Sequence, residues 1–202
     1  SQANLRKSVS AAIDDLASVF DYRRAHPEFA RVRIGAGLAT AFGCTIAGTV
    51  PLDDVLRAAE NVIALAPDEI AVADTVGYGN PAQCRRIFRA ILDLAGDIPV
   101  AAHFHDTRGL GLANVDAALD VGVRRFDASL GGLGGCPYAP GASGNVVTDD
   151  LVFMLEAMGL RTGIDLDRLL ETREFMQRHL CGEATFGAIA TAGVPKGFNR
   201  AS

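Results

Sequence analysis

The 202 residues carry a net charge of −5, with 49% hydrophobic and 21% charged residues. A chain of this length can bury a core of its own and reads as one domain, 1–202. It has no basic block to meet nucleic acid and no apolar run long enough to cross a bilayer, so neither nucleic acid nor a membrane is expected as a partner.

Taken in chain order, the spacing of Leu5, Val9, Ile13, Leu16, Val19 and Phe20 predicts an amphipathic helix over residues 4–25. A strand is expected over 31–39, then a turn-rich loop through Gly43, Cys44 and Gly48. Residues 53–66 read as a helix with Val55, Leu56, Ala59, Val62 and Ile63 inward, and 69–74 as a strand. After the loop 75–80, Pro81 suits the first turn of a helix running to about Ala95. The apolar run Pro99-Val100-Ala101-Ala102 places a buried strand over 98–105. A helix over 111–121, a strand over 125–130 and helices over 149–158 and 165–179 follow; the tail from Gly182 is too sparse in signals to assign. Strand–helix units repeated four times, with apolar strands, imply right-handed crossovers and a parallel α/β sheet. Such units build both (β/α)8 barrels and open doubly wound sheets. No Gly-x-Gly-x-x-Gly opens a helix after a strand, which disfavours a dinucleotide fold.

Two stretches carry the chemistry. His103-Phe104-His105-Asp106 ends the third strand. Its histidines are two apart, so both imidazoles leave one face with Cβ atoms about 6–7 Å apart, a span over which two nitrogens can meet one cation. The alternative is a pair of structural histidines bonding backbone groups at a sheet end. Asp106 points the other way or opens the loop and is not assigned as a ligand. The second stretch, Gly131 to Asn145, is rich in glycine, which permits close backbone approach to a ligand and suits a moving loop. Within it, Cys136 is either reactive or an inert packing thiol, and Asn145 offers an amide oxygen or a turn and cap. Asp74, closing an apolar strand, is either a site residue or the anchor of its own loop. Gly77-Tyr78-Gly79 could cradle a phosphate with backbone amides, and Arg108 could meet an anion; an ordinary loop and a surface charge are the plainer readings. Cys84 falls inside a helix and reads as packing, and Cys44 and Cys181 have no special setting. With no CxxC pair among the four, reduced thiols in a cytoplasmic setting are expected.

The run Gly131-Gly-Leu-Gly-Gly-Cys-Pro-Tyr-Ala-Pro-Gly-Ala-Ser-Gly-Asn145 closely resembles the signature loop of 3-hydroxy-3-methylglutaryl-CoA lyases. His103-Phe-His-Asp-Thr107 resembles their metal-binding strand, and Ala73-Asp-Thr-Val-Gly77 a third family segment; the likeness extends through Gly163. The histidine strand is shared with a wider metallolyase group, whereas the cysteine loop is much more specific. The resemblance implies a metal-dependent TIM barrel cleaving a hydroxyacyl-CoA. His103, His105 and Asn145 would be metal ligands, Cys136 the mobile-loop acid/base and Asp74 a polar active-site residue. Imidazole and oxygen ligands with an open position suit Mg²⁺ or Mn²⁺, with Zn²⁺ as a further option. The expected partners are an acyl-CoA substrate and a second copy in a homodimer.

Family members begin with a strand carrying Arg-Asp-Gly-Leu-Gln, which supplies an arginine and a carboxylate ligand; that motif does not occur here. Together with an N-terminus lacking Met and any signal-peptide pattern, this leads to the expectation that the chain holds strands 5–8 of the barrel and is inactive alone. The rival expectations are an acyl-CoA/2-oxo acid condensing enzyme of the same group and a non-catalytic half-barrel.

Overall fold

A computed structural model describes residues 7–135, 144–180, 182–198 and 201. The elements alternate as expected: α1 (Val9–Ala25), β1 (Gly35–Leu38), α2 (Leu52–Ile63), β2 (Glu69–Asp74), α3 (Pro81–Ala95), β3 (Val100–Phe104), α4 (Gly111–Asp120), β4 (Arg125–Asp127), α5 (Thr148–Ala157), α6 (Leu166–His179) and the short α7 (Ile189–Ala192). The local signals act as read. Pro81 opens α3 behind Asn80, whose side chain accepts from the Gln83 amide, and Asp165 caps α6 by accepting from Asp167 and Arg168.

Every neighbouring pair of strands is parallel and the order is β1-β2-β3-β4. A doubly wound sheet reverses its strand order at a switch point. An unreversed order is that of consecutive strands in a (β/α)8 barrel, so the alternative left open by the sequence is removed.

Three strands are shorter than expected, the third covering Val100–Phe104 of the expected 98–105. The first stops short of residues 31–34 because the Asp68 carboxylate, not a neighbouring strand, accepts from the Ile34 amide at 2.7 Å and from Arg23 Nη1 at 2.6 Å. The fourth ends at Asp127, and Leu130–Gly132 form a single 3-10 turn with Gly131 at φ +67°.

One face of the sheet carries the core. Ala36, Leu38, Ile70, Val72, Val100, Ala102 and Phe104 pack against Val55, Ala59, Ile87, Phe88, Ile91, Val115 and Ala118 from the helices. Phe42, Phe88 and Phe104 form an aromatic trio with ring centroids 5.8–5.9 Å apart, each pair contributing about 0.5–1.5 kcal/mol beyond its buried area. The opposite face is lined by Gly35, Gly37, Ala71, Ala73, Ala101, His103, Arg125 and Asp127, of which Ala101 alone is buried. No helix among the described residues is long and apolar enough to cross a membrane.

Candidate metal site

Burial of Phe104 decides where the histidines go. Its ring is locked into the aromatic trio on the helix side, so its neighbours His103 and His105 leave the other face. Their rings lie side by side, centroids 5.2 Å apart at 60°. In this register His103 pairs with Ala73 and Asp127, which puts the two imidazoles at the carboxyl end of the sheet, the end where (β/α)8 barrels carry their chemistry.

Asp127 is a residue that the sequence reading missed. Its Oδ2 lies 3.5 Å from His103 Nδ1, near the outer limit of hydrogen bonding. A carboxylate facing Nδ1 favours a proton there and leaves Nε2 bare for a ligand. The signal was its register opposite His103, which only strand pairing supplies.

Asn145 comes to the same place by backbone pairing. It forms an antiparallel bridge with His105, and Val146 donates to the Phe104 carbonyl at 3.0 Å. Its Nδ2 donates to the Leu133 carbonyl at 2.9 Å, whereas its Oδ1 is buried with no hydrogen-bond partner among the described residues. A buried amide oxygen without a partner is costly unless something meets it. Close approach requires glycine here: a Cβ on Gly134 would fall 2.6 Å from Asn145 Nδ2, and one on Gly144 would run into the Gly132 carbonyl.

Among the described residues no three His, Cys, Asp or Glu side chains gather around one point. The Asn145 amide oxygen is the candidate third donor beside His103 and His105. Two imidazoles and an orphaned carbonyl oxygen fit a borderline or hard divalent cation.

Asp74, the polar active-site residue that the resemblance implies, stands apart from the histidines. It lies on the helix-facing side of β2 with Ile70 and Val72, opposite to the histidines, and is 0% exposed. Its Oδ1 and Oδ2 accept the Tyr78 and Gly79 amides, each at 2.8 Å. Burial pushes its carboxyl above the ordinary range; the amides of Gly79, Tyr78 and Gly77 and the charge of Arg108 pull it back down. These contacts are those of a loop anchor. They also remove the phosphate cradle, because the Tyr78 and Gly79 amides that would form it are already donating inward.

Arg108 is likewise occupied locally. Its guanidinium stacks over the Tyr78 ring at 4.5 Å, and Nη1 donates to the Val76 and Gly77 carbonyls at 3.1 and 3.2 Å. Asp106, not assigned as a ligand, accepts from the Gly111 amide at 2.7 Å and caps α4.

Cys136 and Cys181 lie outside the described residues. Cys84 is fully buried, and burial raises its thiol pKa, as suits packing. Cys44 has more character than the sequence showed: the Ala47 and Ile46 amides lower its thiol pKa, Ile46 N lying 3.4 Å from Sγ.

Comparison with known proteins bears on this site. Residues 2–176 match the family model described as HMGL-like. The chain is 37% identical over 180 residues to the hydroxymethylglutaryl-CoA lyase YngG of Bacillus subtilis, covering 89% of this chain and 60% of that one. To the hydroxymethylglutaryl-CoA lyase of Pseudomonas mevalonii it is 40% identical over 174 residues, 85% of this chain and 57% of that one. An (R)-citramalyl-CoA lyase of Chloroflexus aurantiacus is 42% identical over 146 residues, covering 72% and 46% of the two chains. Among solved structures, an HMG-CoA lyase from Acinetobacter baumannii in complex with coenzyme A and 3-methylmalate superposes with a TM-score of 0.89 at 39% identity, covering 98% of this chain and 63% of that one. The present chain thus spans 60% or less of the length of these curated relatives.

Proposed function

We propose, from the premise that this chain belongs to the HMGL-like family, that the protein carrying it is a carbon–carbon lyase. Its substrate would be 3-hydroxy-3-methylglutaryl-CoA, cleaved to acetyl-CoA and acetoacetate. The observation that carries the reading is the donor set at the carboxyl end of β3: His103, His105 and the open Oδ1 of Asn145.

Three neutral donors would leave Mg²⁺, Mn²⁺ or Zn²⁺ most of its charge, with which it would polarise the substrate's tertiary hydroxyl and favour the oxygen charge that builds there. The chain's own residues orient and protonate. Asp127 holds His103 through Nδ1, and the Leu133 carbonyl fixes the Asn145 amide so that its oxygen, not its nitrogen, faces the site. In the cleavage, the bond between the hydroxyl-bearing carbon and the carbon next to the thioester breaks. The hydroxyl gives its proton to a general base and becomes the ketone of acetoacetate. The bonding pair passes to the thioester α-carbon, where an added proton completes acetyl-CoA. Cys136 is proposed as the acid that supplies this proton, on the strength of its loop's resemblance to the family signature. Asp74 supports the site by shaping the loop after β2. A homodimer in a cytoplasmic setting completes the proposal.

The similarity to a citramalyl-CoA lyase supports a second reading, in which the same bond is cleaved in a hydroxyacyl-CoA with a different acyl group. Incubating the Mg²⁺- or Mn²⁺-loaded protein with each thioester and assaying acetyl-CoA together with the keto product separates the two. Acetoacetate from 3-hydroxy-3-methylglutaryl-CoA is the expected result, and turnover of neither thioester would overturn the lyase reading.

A further inference from the structure

We propose that the buried ion pair between Asp149 and Arg173 is a positioning device. It ties the Leu130–Gly132 turn to the Asn145–Thr148 segment and so sets where the Asn145 amide oxygen sits. The assignment to a metal ligand rests on the lyase reading; the mechanical coupling does not.

Asp149 occupies the first turn of α5, a favourable place for a carboxylate in the field of the helix. It turns inward rather than to solvent, and its side chain is 0% exposed against 4% for that of Arg173 on α6. Arg173 Nη1 donates to Oδ1 at 3.0 Å and Oδ2 at 2.8 Å. Stability is a poor explanation for such a pair. Desolvating two charges offsets most of their attraction, and an apolar pair of similar volume is often as stable or more so.

The arrangement around the pair points to placement. Arg173 Nη2 donates to the Phe186 carbonyl, and the Phe186 amide donates in turn to the Gly131 carbonyl at 2.8 Å. The Phe186 ring, the Asn145 carbonyl and the Val147 side chain all close on Gly132, so that a Cβ there would meet each of them within 3.5 Å. Across the same gap Ser129 donates to the Val146 carbonyl and Thr148 to the Ser129 carbonyl, each at 3.0 Å. At Gly187 a Cβ would stand 3.1 Å from both Arg173 Nη1 and Asp149 Oδ2. One guanidinium therefore grips both sides: Asp149, four residues after Asn145, and, through Phe186, the turn that leads to Leu133, whose carbonyl holds the Asn145 amide.

Two variants test this in the protein that carries the chain. Arg173→Lys keeps the charge but cannot span the carboxylate and the Phe186 carbonyl together. Asp149→Leu with Arg173→Met replaces the pair by apolar groups and is expected to hold the melting temperature. Hydrogen exchange followed by mass spectrometry reads residues 129–135 and 144–150 against the β3 strand. The expected result is exchange about tenfold or more faster in both stretches together, with β3 unchanged. Mn²⁺ titration should show binding weakened by about 10–100-fold, the usual effect of losing an outer support. If either folded variant exchanges as the unmodified protein does in both stretches, the pair merely packs α5 on α6 and the proposal is overturned. The exchange result requires neither metal nor turnover, so an unmodified protein that bound no Mn²⁺ would sink the lyase reading and leave the coupling to be decided by exchange.

Discussion

Asn145 gives its side-chain nitrogen to the Leu133 carbonyl at 2.9 Å and keeps its buried oxygen unpartnered among the described residues. The polarity of the amide is thereby set, because a flipped amide would face oxygen to oxygen across the same gap. Asn145→Ala is therefore expected to weaken Mn²⁺ binding by more than the roughly 10–100-fold that loss of an outer-shell partner costs. Isothermal titration of the purified variant measures this, and an affinity equal to the unmodified protein's would remove Asn145 from the ligand set.

Asp127 and His103 are partly exposed, 61% and 28% by side chain. A polar contact so exposed is worth at most about 1 kcal/mol of stability. Asp127→Ala should therefore leave the melting temperature almost unchanged while lowering metal affinity or turnover by about 10–100-fold through a misoriented imidazole. Thermal denaturation and metal titration on one preparation check both halves.

Asp74 should behave in the opposite way. Asp74→Asn places an amino group against one of the Tyr78 and Gly79 amides, which costs about 1–3 kcal/mol. The pH dependence has a definite sign. The folded pKa is raised above the ordinary value of 3.8, chiefly by burial, so the native chain binds more protons than the unfolded one just above that pH. Stability contributed by Asp74 is then lost as pH rises from about 3.8 through the folded pKa. The deficit of Asp74→Asn should be greatest at the acid end and narrow across that window; urea titrations at a series of pH values would reveal it. A deficit that widens with pH would show the carboxylate to be held by charge rather than penalised by burial.

Cys136→Ser tests the proposed acid. A hydroxyl exchanges protons far less readily than a thiol of pKa about 8.5. Turnover per folded, metal-loaded molecule should fall by about 10²–10⁴-fold with metal content nearly intact. A loss of under about threefold, far outside that range, would make Cys136 a packing residue.

Much of the scaffold was legible from local rules. Alternating apolar segments marked the β/α units, Asn80-Pro81 and Asp165 marked helix starts, and the two-residue spacing of His103 and His105 put both rings on one face. Glycines at 134 and 144 were visible as a cluster, although the atoms that forbid a side chain there were not. Strand limits were read less well. A carboxylate from another segment, Asp68, takes the amide of Ile34 that a neighbouring strand would otherwise pair.

Features of short range are legible along the chain: period, caps, turn residues and a signature loop, all written within a few residues of where they act. Tertiary structure decided strand order, and with it bore out the barrel-type sheet that the family resemblance implies. It alone turned Asp74 to the helix side, because the pleat and the burial of Ile70 and Val72 leave its carboxylate no other direction. It alone brought Asp127 to His103 and Arg173 to Asp149. Partners separated by 24 residues in each case meet only after the chain has paired and packed, and no local spacing encodes such a meeting.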